Sequence, residues 1–349
     1  MIKKTLTALA GLVVGGAVAA GCGSQATLAS SSQGVDLITQ IQQAPLLEAH
    51  GGVRLLESHY QLDGGSDRLV YRERVVTDGQ GSFAITPLGV VSGGTLPQAD
   101  FQLLQKAREG FHFRYRDFLV RDLAAFLTNY ELETVGQLVQ VAGRDCLELS
   151  IRRKDQTLSF DLAMDVATGL VLRYHEYDAH GQLYTSMVYE SFDPTPDLVG
   201  VTFHTPGNQE QQLDLSQPVL PQLGFQPYVP KLPPGMGYTF VDASRVVDVH
   251  GQTWAKLTYT DGVETLFFLD GGPTQAQQGE LGDKQPGAQT AGATSAGGTS
   301  MSDRLQLFHE GPLTVAWGEV MAHRMIAVGK IDRSSMVTLI ESALPHAGL

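Results

Sequence analysis

The sequence predicts an α+β fold: an antiparallel β-sheet capped by helices, followed by a smaller antiparallel sheet with a C-terminal helix. Three observations carry the prediction. Residues 139–192 alternate apolar and polar side chains with period two, the mark of strands with one buried face. Trp254 to Asp270 reads as two half-buried strands joined at Thr260-Asp261-Gly262. Met336, Leu339, Ile340, Ala343 and Leu344 then form one apolar stripe at helical spacing.

With 349 residues, 42% of them hydrophobic and 17% charged, the chain has enough apolar material for about two packed domains. A formal net charge of −13 argues against a nucleic-acid partner, since a phosphate backbone is drawn to Lys/Arg surfaces.

The elements follow in order. Residues 1–22 are expected to be a lipoprotein signal peptide: Lys3 and Lys4 precede an uncharged apolar run ending in Ala19-Ala20-Gly21-Cys22, which resembles a bacterial lipobox. Cys22 would become the lipidated N-terminus, each buried acyl methylene contributing about 0.8 kcal/mol of membrane affinity. Ala17-Val18-Ala19 also fits a cleavage site for ordinary secretion, and a short membrane anchor is the third reading. A protein facing the periplasm and lipid-anchored is expected, with the outer membrane favoured because Gly23 follows the cysteine; a soluble periplasmic protein is the alternative. Residues 23–34 read as a flexible tether.

A first domain is assigned to 35–205. Leu37, Ile38 and Ile41 mark a short helix, and strands are expected near 53–60, 68–76 and 82–91. Helices follow near 97–109 and 116–130. The meander then turns at Asp165 to Gly169 and at Asp178 to Gly181, where Gly169 and Gly181 supply positive φ. Seven prolines in 205–236 place a Pro-rich linker at 206–236. The second domain is assigned to 237–346, with further strands near 313–318 and 324–329, a closing helix from Asp332 or Ser334, and a disordered Gly/Gln/Ala/Thr/Ser insertion at 271–303.

No enzymatic motif is found, and no cofactor or metal is expected. His175, Glu176, Asp178 and His180 are close in sequence, but their spacing and strand-to-turn context fit a solvated hairpin end. Cys146, flanked by Asp145 and Glu148, reads as a buried structural thiol. Arg114-Tyr115-Arg116 and Arg152-Arg153-Lys154 read as solvated loop or edge positions, with contact to an anionic partner as the sharper alternative. Phe111, Phe113, Phe118, Phe126, Phe160 and Tyr174 are mostly core candidates that could line an apolar cleft for acyl chains or a hydrophobic peptide.

The stretch VAGRDCLELSIRRKDQTLSFDLAMDVATGLVLRYHEYDAHGQLYTSMVYESF resembles the RseB/MucB family of periplasmic sigma-factor regulators, through Gly143-Arg144, Asp165, Thr168-Gly169-Leu170 and Gly181. LPPGMGYTFVDA, LTYTDGVETLFFLD and residues 311–344 resemble the family's small C-terminal domain. The resemblance implies that the first domain is a half-open antiparallel β-barrel capped by helices, like that of lipoprotein carriers. It implies an envelope-stress regulator that binds the periplasmic part of a single-span membrane anti-sigma factor and senses a lipid or lipopolysaccharide. A periplasmic carrier or chaperone for lipids or lipoproteins is the alternative.

Overall fold

The computed structural model describes residues 31–62, 65–93, 117–203, 210–248, 251–273, 305–310 and 313–345. The signal peptide with Cys22, the expected helix at 97–109, Arg114 to Arg116, Phe111 and Phe113 lie outside the described residues.

The first sheet has eight antiparallel strands. They are β1 (Ala49–Leu62), β2 (Gly65–Asp78), β3 (Phe83–Gly93), β4 (Tyr130–Val141), β5 (Arg144–Arg153), β6 (Leu158–Asp165), β7 (Val171–Asp178) and β8 (Leu183–Asp193), in the order β3-β2-β1-β8-β7-β6-β5-β4. The sheet curls without closing: β4 and β8 lie four places apart, yet parts of them come within 8 Å between Cα atoms. Helices α1 (Ser31–Leu47) and α2 (Leu123–Asn129) cover its apolar side.

The alternation read from the sequence is what builds this core. Leu149, Ile151, Phe160, Leu162, Leu172 and Tyr174 are all buried in one cluster, together with Ile38 and Ile41 of α1. The β6–β7 turn is fixed by Asp165, whose carboxylate accepts from the Thr168 amide (3.0 Å) and hydroxyl (2.7 Å). Arg144 grips the same carboxylate through two bonds of 3.0 and 2.9 Å, tying β5 to the turn. Gly169 and Gly181 have φ of 79° and 73°, as their places in the turns require.

The second sheet has seven strands: β9 (Gln211–Gln212), β11 (Thr239–Val247), β12 (Thr253–Thr260), β13 (Thr265–Pro273), β14 (Leu305–Glu310), β15 (Leu313–Val320) and β16 (His323–Gly329). Their order is β14-β15-β16-β13-β12-β11-β9. Between β9 and β11 lie helix α3 (Leu220–Leu223) and strand β10 (Tyr228–Val229), and β10 pairs with β17 (Leu344–Pro345). Helix α4 (Arg333–Glu341) packs across β15 and β16 and buries Met336, Leu339 and Ile340 in the second core, the cluster that also holds Leu257, Tyr259 and Phe268. Asp332 caps it, accepting from the amides of Ser334 (2.9 Å) and Ser335 (3.0 Å).

Several boundaries differ from the sequence reading. Helix α1 begins at Ser31, inside the expected tether, because Leu37, Ile38, Ile41 and Ala44 give the segment an apolar stripe to bury. The helix expected over 116–130 is confined to Leu123–Asn129, with Asp122 capping it by accepting from the Ala125 amide. The Pro-rich stretch, expected as a linker, sends Leu213, Val219, Leu223 and Phe225 into the second core, so its apolar residues outweigh its prolines. Strand β13 runs on through Gly271, Gly272 and Pro273, so those three residues are sheet rather than insertion. The C-terminal helix stops at Glu341, and Leu344 instead pairs with Val229 in β17.

Candidate functional site

The tip of the β12–β13 hairpin is buried against the first domain. A Thr-Asp-Gly turn ordinarily faces water, yet Asp261 is 0% exposed and Val263, at 3%, belongs to the first domain's core cluster. The turn is preorganised locally. Asp261 Oδ1 accepts from the amides of Val263 (3.0 Å) and Glu264 (2.8 Å), and Thr260 Oγ1 donates to the Glu264 carbonyl (2.8 Å).

First-domain groups then clamp it. The Arg121 amide donates to the Gly262 carbonyl (2.8 Å), and Arg121 Nε donates to the Val263 carbonyl (2.9 Å). Asn129 Nδ2 donates to the carbonyls of Asp261 and Gly237, each at 2.8 Å. Tyr130 Oη donates to Asp261 Oδ2 (2.8 Å), and Arg153 lies 3.4 Å from the same oxygen. Burial, reinforced by nearby Glu264, raises the Asp261 carboxyl above its ordinary range against the pull of Arg153. Arg153 is therefore a seam residue rather than a solvated one. Its neighbour Lys154 closes the end of α2 by donating to the Leu127 (2.9 Å) and Thr128 (2.8 Å) carbonyls; Arg152 stays exposed.

A second buried cluster sits beside the hairpin. Lys330 Nζ donates to Glu176 Oε2 at 2.6 Å and to Glu264 Oε1 at 3.0 Å. Side-chain exposures are 9% for Lys330, 1% for Glu176 and 8% for Glu264. Glu176 Oε1 has no hydrogen-bond partner among the described residues. Burial pushes the Glu176 carboxyl up to about 7, opposed by Lys330. The hairpin end at 175–180 is thus only partly solvated. His175 faces the other side of the strand near Tyr177, while Glu176 continues the buried phase of Leu172 and Tyr174. The sequence reading missed this residue; the signal that could have found it is a carboxylate in phase with an apolar stripe. Cys146 is fully buried, and burial with nearby Asp165 pushes its thiol up to about 11.

Between the curled sheet and β11 lies a groove of about 830 Å³. Ile41, Phe118, Met187 and Tyr189 wall it on one side and Phe240 and Val241 on the other. Phe240 and Val241 are each 50% exposed. At one end Arg54 stacks over Tyr189 and pairs with Glu73 (3.0 Å) and Asp117 (2.6 Å). At the other end the hydroxyls of Thr258 and Thr265 and Asp242 Oδ1 have no partner among the described residues. Of the aromatics singled out in the sequence, Phe118 reaches this groove, whereas Phe126, Phe160 and Tyr174 fill the first core. Phe118 meets Phe160 edge-on at 5.1 Å.

Residues 101–206 match the family model of the MucB/RseB N-terminal domain. The chain carries a MucB/RseB domain. The MucB/RseB match takes in α2 and β4 to β8; α1 and β1 to β3, which complete the same sheet, precede it. Among solved structures, the crystal structure of MucB in complex with MucA(peri) is similar in fold, with a TM-score of 0.50 and 17% identity, covering 90% of this chain and 99% of that one. The Pseudomonas aeruginosa MucA/MucB complex aligns with a TM-score of 0.49 and 18% identity, again over 90% and 99% of the two chains. At 90% of this chain, the alignment with the MucB–MucA(peri) structure extends past the MucB/RseB N-terminal domain into the second sheet. No curated protein matches the chain. Among the described residues no helix is long and apolar enough to cross a membrane.

Proposed function

We propose that this chain is an envelope-stress regulator that binds the periplasmic part of a membrane anti-sigma factor and performs no bond-making. The observation that carries the reading is the groove between the two sheets. Its walls carry apolar side chains from both domains, and Asp242, Thr258 and Thr265 make its polar end. A peptide segment supplies both chemistries at once, apolar side chains for the walls and backbone N–H and C=O groups for the polar end. An acyl chain supplies only the first, so the polar end favours a peptide over a carrier role. The MucB/RseB domain and the fold shared with MucB bound to MucA(peri) support the same partner class.

The finer parts of the proposal are a lipid or lipopolysaccharide that competes for the apolar walls, and a tether through Cys22 holding the protein at the outer membrane. The test is a titration of the full chain with the periplasmic segment of a single-span anti-sigma factor from the same genome, beside the Phe240→Glu variant. Saturable binding weakened at least about tenfold by the substitution is expected, because a charge would be desolvated against an apolar wall. Co-purified lipid without affinity for that segment would favour the carrier reading instead.

A further inference from the structure

The seam between the domains buries three carboxylates, Glu176, Glu264 and Asp261, against two cations, Lys330 and Arg153. An excess negative charge in a dry site is costly, and the inexpensive remedy is a proton. Glu176 is the place for it. It comes from β7 of the first domain, its ammonium partner follows β16 of the second, and one of its oxygens is unpartnered among the described residues.

We propose that this cluster is a proton-dependent latch: the two domains dock with a proton held on Glu176, and the seam loosens as the surroundings turn alkaline. The other groups facing it are Tyr184 from β8, Tyr238 ahead of β11 and Tyr130 from β4, while His59, His180, Asp155, Asp178, Asp332 and Arg333 line the adjoining cleft with Lys330. Burial raises all three tyrosines, which therefore stay neutral across the relevant range. Lys330 is raised by its two carboxylates, so it keeps its charge.

The sign follows from the Glu176 carboxyl, at about 7 when docked and 4.5 when in water. Between those values the docked form holds more protons than the undocked form, so docking strengthens as pH falls. From about pH 8 to about pH 5.5 one such proton tightens docking about 30-fold. Asp261, also raised by burial, acts in the same direction. The latch bears on the groove because Glu264 lies in the same hairpin tip as Thr260 and Thr265, which line that groove.

The experiment is hydrogen exchange on the full chain, read at the Arg121 amide, which donates across the seam to the Gly262 carbonyl. After correction for the intrinsic rate, protection should rise about 30-fold from about pH 8 to about pH 5.5, while the Lys154 amide, bonded within the first domain, shows no such rise. In Glu176→Gln, which mimics the protonated carboxyl, protection should be high and nearly flat. A flat wild-type profile overturns the proposal. So does an unchanged slope in Glu176→Gln, or a slope lost in His59→Gln or His180→Gln.

Discussion

Gly262 of the second domain lies against Phe126 of the first so closely that a Cβ added to the glycine would stand 2.3 Å from the Phe126 amide nitrogen. Its φ of 110° independently excludes most side chains. Gly262→Ala should therefore push the hairpin out of the seam, costing about 2 kcal/mol or more, with the two domains melting separately. A variant that unfolds in one transition at the wild-type temperature would show that the contact has slack.

Leu162 is 1% exposed at the middle of the first core. Leu162→Asp places an unpaired charge there and should cost at least about 3 kcal/mol, unfolding the first domain. Near-ultraviolet circular dichroism gives the answer, and a native-like spectrum would mean the strand faces the other way.

Asp332 carries a pH dependence of known sign. Hydrogen bonds from Ser334 and Ser335 hold its carboxyl at about 2, below the ordinary 3.8. Its charged form stabilises the fold above pH 3.8, and that contribution is lost as pH falls towards 2. The stability difference between wild type and Asp332→Asn should shrink over that window. At neutral pH, Asp332→Ala should cost about 1 kcal/mol by leaving the first amides of α4 uncapped. Equal melting of Ala and wild type would remove the cap from the account.

Cys146 should resist alkylation. Moving its thiol from 9.0 to about 11 lowers the thiolate fraction about a hundredfold at neutral pH, and burial blocks the reagent as well. Modification by iodoacetamide in the folded chain should thus run at least about a hundredfold slower than in urea. Comparable rates would place the residue at the surface.

The meander from β5 to β8 was legible because strand alternation is local: each residue's face follows from its neighbours. The same holds for α4, whose stripe at Met336, Leu339 and Ile340 needs only helical geometry to interpret. The hairpin tip was not legible. Asp261 and Gly262 are the residues an exposed turn uses, and their burial depends on Tyr130, 131 positions away, and on Arg121. Lys330 and Glu176 are 154 positions apart, and nothing local pairs them. Arg153 escaped notice for the same reason: a basic run looks solvated until the chain that covers it is in place. The groove lay beyond sequence reading because its two walls belong to separate sheets.

Strand β1 lies between β2 and β8, and its bond from the Val53 amide to Ser191 spans 138 positions. As the chain emerges from its N-terminus, the β1–β2 hairpin waits with a bare row of peptide groups until most of the first domain has followed. Such late long-range closure makes folding slow and leaves that row open to sticking to other chains. Production of this protein should therefore be limited by aggregation before synthesis of β8 is complete, and slowing the supply of nascent chain should raise the yield more than strengthening any contact in the finished molecule.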